Sequence, residues 1–133
     1  QILKLILELK EKYSLTILFI SHDLSVINQI ADRVMVMYLG HLVEVASTKK
    51  LFSNPKHPYT KSLIETAPQI FRKNKNKIIL KGDIPSPINP PSGCVFRTRC
   101  PHASKDGKEA NIEMGLVEVE KGHWVDRCAT SCN

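Results

Sequence analysis

The chain is 133 residues long, 42% hydrophobic and 24% charged, a globular balance that excludes a disordered tail. No apolar run approaches the roughly 18 residues a membrane-spanning helix requires, so no bilayer crossing is predicted. The net charge of +6 divides into +1 over residues 1–50 and +5 over residues 51–133. Because no aromatic residues interleave with the basic ones, this excess reads as solvated surface and argues against a nucleic-acid partner. All eight prolines fall between Pro55 and Pro101, which predicts a boundary near Thr48–Pro55. No basic-then-apolar leader opens the chain, and Gln1 already stands inside a helical pattern, so the sequence reads as a fragment.

Ile2, Leu5, Ile6 and Leu9 recur at helical spacing, with Glu8 ordered before Lys12 for an i,i+4 pair, and predict an amphipathic first helix. Leu3 and Leu7 widen its apolar face. Leu15-Thr-Ile-Leu-Phe-Ile20 is a short apolar run rich in β-formers, the pattern of a strand covered on both faces in a parallel sheet. Ser21 is the expected cap of the next helix, whose apolar positions are Leu24, Ile27 and Ile30. Asp23 near its start suits the helix dipole. Arg33–Tyr38 resumes strand character, Leu39-Gly40 makes a turn, and His41–Val45 pairs back as a hairpin. Helix, buried strand, helix and hairpin form the closing part of an α/β layered domain, whose other parallel strands are not in this chain.

Thr48 is the expected cap of a brief helical turn through Leu51 and Phe52. Pro58 starts a helix to about Thr66, and Pro68 stops it. The periodicity then fails: Arg72–Lys77 reads as a basic linker, Ile78–Leu80 as a short strand, and Pro85–Gly93 as a rigid proline-studded loop. No internal repeat is visible.

His22 stands at the C-terminal end of the predicted buried strand, beside the crevice where open α/β sheets bind ligands. A neutral imidazole there can donate to a terminal phosphate oxygen, with Ser21 and Asp23 supplying polar contacts; the alternative is a histidine that only caps a loop. Phosphoryl transfer needs a glycine-rich phosphate loop and an acidic strand end to hold magnesium, and these residues contain neither, the six glycines being scattered from Gly40 to Gly122. Cys94, Cys100, Cys128 and Cys132 leave intervals of five, 27 and three residues. That spacing ranks a metal or cluster site ahead of disulfides, with two separate thiol pairs as a further alternative. His57-Pro-Tyr-Thr60 reads as a structural helix start rather than a catalytic motif, and Trp124 as the anchor of a small core.

Three segments then combine: Phe19-Ile-Ser-His-Asp-Leu-Ser25, Ile30-Ala-Asp-Arg-Val-Met-Val-Met-Tyr-Leu-Gly40 and His57-Pro-Tyr-Thr-Lys-Ser-Leu63. Together they resemble the ATP-binding subunits of oligopeptide and dipeptide ABC importers. Gly82-Asp-Ile-Pro-Ser-Pro-Ile-Asn-Pro-Pro-Ser-Gly-Cys-Val-Phe-Arg-Thr-Arg-Cys-Pro101 is similar to that family's C-terminal extension, especially in the second of its two paired ATPases.

The resemblance implies the C-terminal part of a P-loop ABC nucleotide-binding domain over residues 1–50, a helical connector and basic linker over 51–77, and an irregular cysteine-containing extension over 78–133. It implies that Ser21-His22-Asp23 is the switch-histidine segment, with His22 on the ATP γ-phosphate and Asp23 at the interface between ATPase subunits. The phosphate loop, signature sequence, magnesium-binding aspartate and catalytic glutamate of the family lie upstream of these residues, so ATP and Mg²⁺ belong to the complete protein.

In this family the extension can carry a four-cysteine iron–sulfur site. Cys94, Cys100 and Cys128 match three ligands; where the family has a further cysteine, this chain has Ser104-Lys-Asp-Gly107, which leaves Cys132 as the fourth candidate of a [4Fe-4S] cluster or, ranked lower, a zinc site. The implied partners are a second ATP-binding subunit, two transmembrane permeases and, indirectly, a peptide-binding protein, at the cytoplasmic face of the membrane. Two other readings stay open: a non-enzymatic cluster- or zinc-binding module, and a non-functional truncated remnant.

Overall fold

A computed structural model describes residues 1–67, 80 and 82–130. Helix α1 spans Ile2–Tyr13, and Ser14 ends it in the left-handed conformation that lets the Ser14 and Leu15 amides close back on Glu11 and Lys10 carbonyls. Helix α2 covers Leu24–Ile30, strand β1 Arg33–Tyr38, strand β2 His41–Ser47, helix α3 Thr48–Ser53 and helix α4 Pro58–Thr66. After a long irregular stretch, a 3₁₀ turn at Lys108–Asn111 leads to β3 (Leu116–Glu120), β4 (His123–Asp126) and a last helical turn, α5 (Arg127–Thr130).

The four strands form one antiparallel sheet in the order β1-β2-β4-β3. Leu39 and Gly40 both take positive φ, the geometry that matches the twist of a two-residue hairpin loop, and this is why β1 and β2 pair directly. In β1 burial alternates: Val34, Val36 and Tyr38 face inward while Met35 and Met37 face out. In β2 alternation breaks down, and Val43 through Ala46 are all buried. A bulge sets Val36 opposite Glu44 and Met37 opposite Leu42, and β2 lies between β1 and β4. Mixed helices and an antiparallel sheet are compatible with the closing part of an α/β ATPase domain.

The core joins Ile27, Val34, Val43 and Leu51 to Val95 and Phe96 of the irregular stretch. Phe96 sits at the centre of an aromatic seam, 5.1 Å from the Tyr38 ring and 5.6 Å from Tyr59, while Tyr38 and Tyr59 meet edge-on at 4.8 Å. The hairpin, α4 and the loop after the prolines are packed together by these rings.

Several expectations change. Leu15–Ile20 is not a strand: among the described residues no strand lies beside it to accept its backbone bonds, and Leu18 and Ile20 are 78% and 88% exposed. Asp23, not Ser21, caps α2; the Ser21 hydroxyl instead accepts from the Asp23 amide at 3.0 Å. Ser47, not Thr48, caps α3, and the Thr48 hydroxyl donates to the Ala31 carbonyl, tying α3 to the end of α2. Trp124 points outward on β4 while its neighbour His123 is buried, so the tryptophan anchors no core. The basic run 72–77, residues 78 and 79 and Cys132 lie outside the described residues.

Gly93 is a position where only glycine fits. Its φ is +65°, and a Cβ there would lie 2.2 Å from the Glu109 carbonyl oxygen and 2.5 Å from the backbone of Ala110. The neighbouring Cys94 amide donates to that same carbonyl at 2.8 Å, so the clash cannot relax without breaking the bond that seats Val95 and Phe96. We expect Gly93→Ala to lower stability by more than about 2 kcal/mol, measured as a fall in the denaturant midpoint; an unchanged midpoint would show that this approach of two backbones is not required.

Candidate functional site

Three groups of side chains carry the candidate chemistry. The first is the loop before α2. Asp23 Oδ1 accepts from the Ser25 amide at 2.8 Å and the Val26 amide at 3.3 Å. These contacts hold its carboxyl below the usual range: the Ser25 amide contributes most, then the Ser25 side chain and the Val26 amide, and nearby His22 adds to them. His22 is exposed on the turn so formed. Its ring is free to meet a ligand arriving from solvent, and Asp23 fixes the backbone that presents it.

A second group was not singled out in the sequence. Glu44, in the middle of β2, is 0% exposed. Its Oε1 accepts from the Lys56 amide at 2.8 Å and stands 2.7 Å from His123 Nε2; its Oε2 accepts from the His57 amide at 2.9 Å. His57 in turn accepts from the Tyr59 amide through Nδ1 at 3.1 Å and so caps α4, whose first residue is Pro58. Its ring lies 5.3 Å from Phe96. His57 and His123 are each 1% exposed. The signal that locates this group is a lone carboxylate among Val43, Val45 and Ala46, because a charge buried there must find donors. The chemistry is structural: no face of the group is open to a substrate.

The third group is the cysteines. Cys94 and Cys128 are buried and in hydrogen-bonding contact, and Cys100 is close enough for its field to act on Cys94. Burial pushes the Cys94 thiol up, against the pull of the Cys128 contact; buried Asp126 and Cys100 add to the rise. Asp126 Oδ1 accepts from the Gly115 amide, whereas Oδ2 has no partner among the described residues. Three of the four predicted ligands thus share one neighbourhood. They do not form a ligand set: among the described residues no three His, Cys, Asp or Glu side chains are placed to hold a metal ion. The expected cluster therefore finds no support among them, since ligand sulfurs must converge on one centre at about 2.3 Å.

Burial also makes His57 report on pH. Desolvation, with a smaller contribution from Lys61, pushes its pKa down from 6.5 to about 4. In the unfolded chain the ring takes a proton below about 6.5 that the folded protein refuses until about 4, so its contribution to stability is intact at neutral pH and is lost as pH falls through that window. The loss should reach about 3 kcal/mol at its acid end. His57→Asn replaces the capping ring nitrogen with a capping amide oxygen and removes the titration, so denaturation between pH 7 and 4.5 should show a flatter decline for this variant; identical slopes would assign the acid sensitivity elsewhere.

Residues 43–106 match the family described as the oligopeptide/dipeptide transporter, C-terminal region. The chain is 45% identical over 128 residues to a putative oligopeptide transport ATP-binding protein, YkfD, of Bacillus subtilis, covering 94% of this chain and 38% of that protein. To the oligopeptide transport ATP-binding protein AppF of the same organism it is 50% identical over 128 residues, with the same coverage. To the oligopeptide transport ATP-binding protein OppF of Salmonella typhimurium it is 49% identical over 109 residues, 80% of this chain and 33% of that protein. The chain thus spans less than two fifths of these relatives' length. By these matches the chain is similar to the oligopeptide transport ATP-binding proteins, and its residues 43–106 match the oligopeptide/dipeptide transporter C-terminal region.

Proposed function

We propose that this chain is the C-terminal portion of the ATP-binding subunit of an ABC importer for oligopeptides or dipeptides, coupling ATP binding and hydrolysis to peptide uptake. The observation that carries the reading is 45–50% identity to oligopeptide transport ATP-binding proteins along 128 residues, Gly93 and Cys94 lying within the span. In this reading residues 1–50 close the ATPase domain, 51–77 connect and 78–133 form the extension. The complete protein works with Mg²⁺, a second ATP-binding subunit, two permeases and, indirectly, a peptide-binding protein, at the cytoplasmic face of the membrane. No helix among the described residues is long and apolar enough to cross a membrane, which suits a peripheral subunit.

His22 is the residue of this chain assigned to the reaction. An exposed imidazole held on a capped turn can donate from its ring to a γ-phosphate oxygen and stabilise the charge that grows there as the phosphoryl group leaves. Asp23 is assigned to the interface with the second ATPase subunit. The phosphate loop that must hold the nucleotide is not among these 133 residues. In the full-length subunit assembled with its permeases, His22→Ala should lower ATP hydrolysis and peptide uptake by roughly 10²-fold or more while nucleotide still binds. Undiminished hydrolysis would remove His22 from the mechanism, and a wild-type complex that takes up no peptide would overturn the assignment itself.

A second reading concerns the thiols, and the observation behind it is that buried Cys94 contacts Cys128 and lies within the field of Cys100, although the three are not placed as a ligand set. With Cys132 supplied, these would be the ligands of a [4Fe-4S] cluster, or less readily of zinc, which would staple the extension together. Anaerobically purified full-length protein should then contain about four iron and four sulfide per chain, and Cys94→Ser should abolish both. Protein without iron, sulfide or zinc would exclude the site.

A further inference from the structure

The transporter C-terminal region matched in this chain ends at residue 106, yet the buried carboxylate near its beginning is completed from beyond that end. Glu44 receives two backbone amides from the turn entering α4 and one ring nitrogen from β4. We propose that Glu44 couples these two parts: His123 is a positioning residue for the Lys56-His57 turn, so that α4 takes its start only when the β3–β4 hairpin is seated on β2.

The sheet contact alone is too slight to seat that hairpin. β4 meets β2 through two register pairs, Glu44 with Val125 and Val45 with Trp124. Trp124 is turned outward, so apolar burial on β4 falls to Val125. The polar contact between His123 and Glu44 is therefore a tie of its own beside the buried Cys128 that follows β4, and it is joined at the rim by the Lys56–Glu120 ion pair at 2.6 Å, which again links the turn before α4 to β3.

On the other side, both backbone amides of the turn depend on the same carboxylate. Pro58 has no amide, and the amides of Lys56 and His57, which precede the helix, are met by Glu44. Oε1 is shared between the Lys56 amide and His123 Nε2. If His123 is withdrawn, the carboxylate loses its side-chain donor and is drawn toward water, and the geometry at Lys56 and His57 goes with it. Once His57 moves, so does the Nδ1 cap on Tyr59 and the ring packed on Phe96. The coupling is reciprocal: a change at α4 is felt at β4 through the same oxygen.

Amide hydrogen exchange on the full-length protein tests this. His123→Ala should speed exchange at the Lys56 and His57 amides at least about tenfold, leaving the Ser25 and Val26 amides of the α2 cap unchanged. His123→Gln, whose side-chain amide can donate to Glu44, should recover most of the protection, a rescue that loss of packing alone does not predict. Unaltered exchange at Lys56 and His57 in a folded His123→Ala protein would overturn the proposal. Should that variant fail to fold, the wild type decides the matter at low denaturant. The Lys56 and His57 amides should then open in one step with the Gly115 and Arg127 amides, which are bonded to Asp126 and Gly115 in the C-terminal hairpin; opening in separate steps would overturn it equally.

Discussion

A carboxylate with no exposed surface, in the middle strand of a small sheet, imposes a condition that the rest of this chain is arranged to meet. Glu44 must be given donors, and removing one partner from a buried charge typically costs about 3–5 kcal/mol. Its donors come from two directions in the sequence: Lys56 and His57 lie just past α3, and His123 arrives from the far end of the chain. Satisfying all three fixes where α4 begins, how β4 lies on β2, and therefore the order of the sheet. His57 extends the arrangement, because the backbone that donates to Glu44 carries the ring that caps Tyr59 and packs on Phe96. The polar network and the aromatic seam share this residue, so neither can shift alone.

The outer parts of the chain obey no such constraint. Ile2, Leu5, Leu18 and Ile20 are exposed, as are Met35 and Met37 on the outer face of β1. No described element covers them. The chain spans only 38% of a relative's length, and under the proposed function the remainder of the subunit is available to cover such residues. The α1 helix is joined to the body by the ion pair of Lys10 and Asp32, 2.6 Å apart, an attachment of the kind that contributes little by itself, beside the half-buried Leu3, Ile6 and Leu7.

Local chemistry made much of the fold legible. The β1–β2 hairpin, α1 and the Pro58 start of α4 follow from turn residues, helical spacing and proline placement, which need no knowledge of the rest of the chain. The differences have separate physical causes. Leu15–Ile20 has the composition of a buried strand, but strand formation is decided by a partner, and composition names none. Leu116–Glu120 and His123–Asp126 carry only a short local signal, since Val117 to Glu120 alternates over just four residues and His123 and Asp126 put polar groups at buried positions; in the structure Glu118 accepts the Gly122 amide in the turn, while His123 and Asp126 turn inward to buried polar bonds. Ser21 and Thr48 misled by one or two positions, since neighbouring hydroxyl and carboxylate residues compete for the same amides.

The candidate site shows the same division between what is local and what is not. Asp23 meets both α2 amides through Oδ1 alone, so the cap is complete without Oδ2. The Ser25 side chain adds a further contact to the same carboxylate, so the turn that displays His22 is held at several points. Two residues side by side thus divide the work, Asp23 fixing the backbone and His22 exposing the ring. Glu44, His57 and His123 stand at 44, 57 and 123, and only the folded sheet brings them together. A triad so scattered is invisible to spacing rules, yet its central member betrays itself as the one charge in an apolar strand. The question to ask of such a residue is which donors the fold must bring to it.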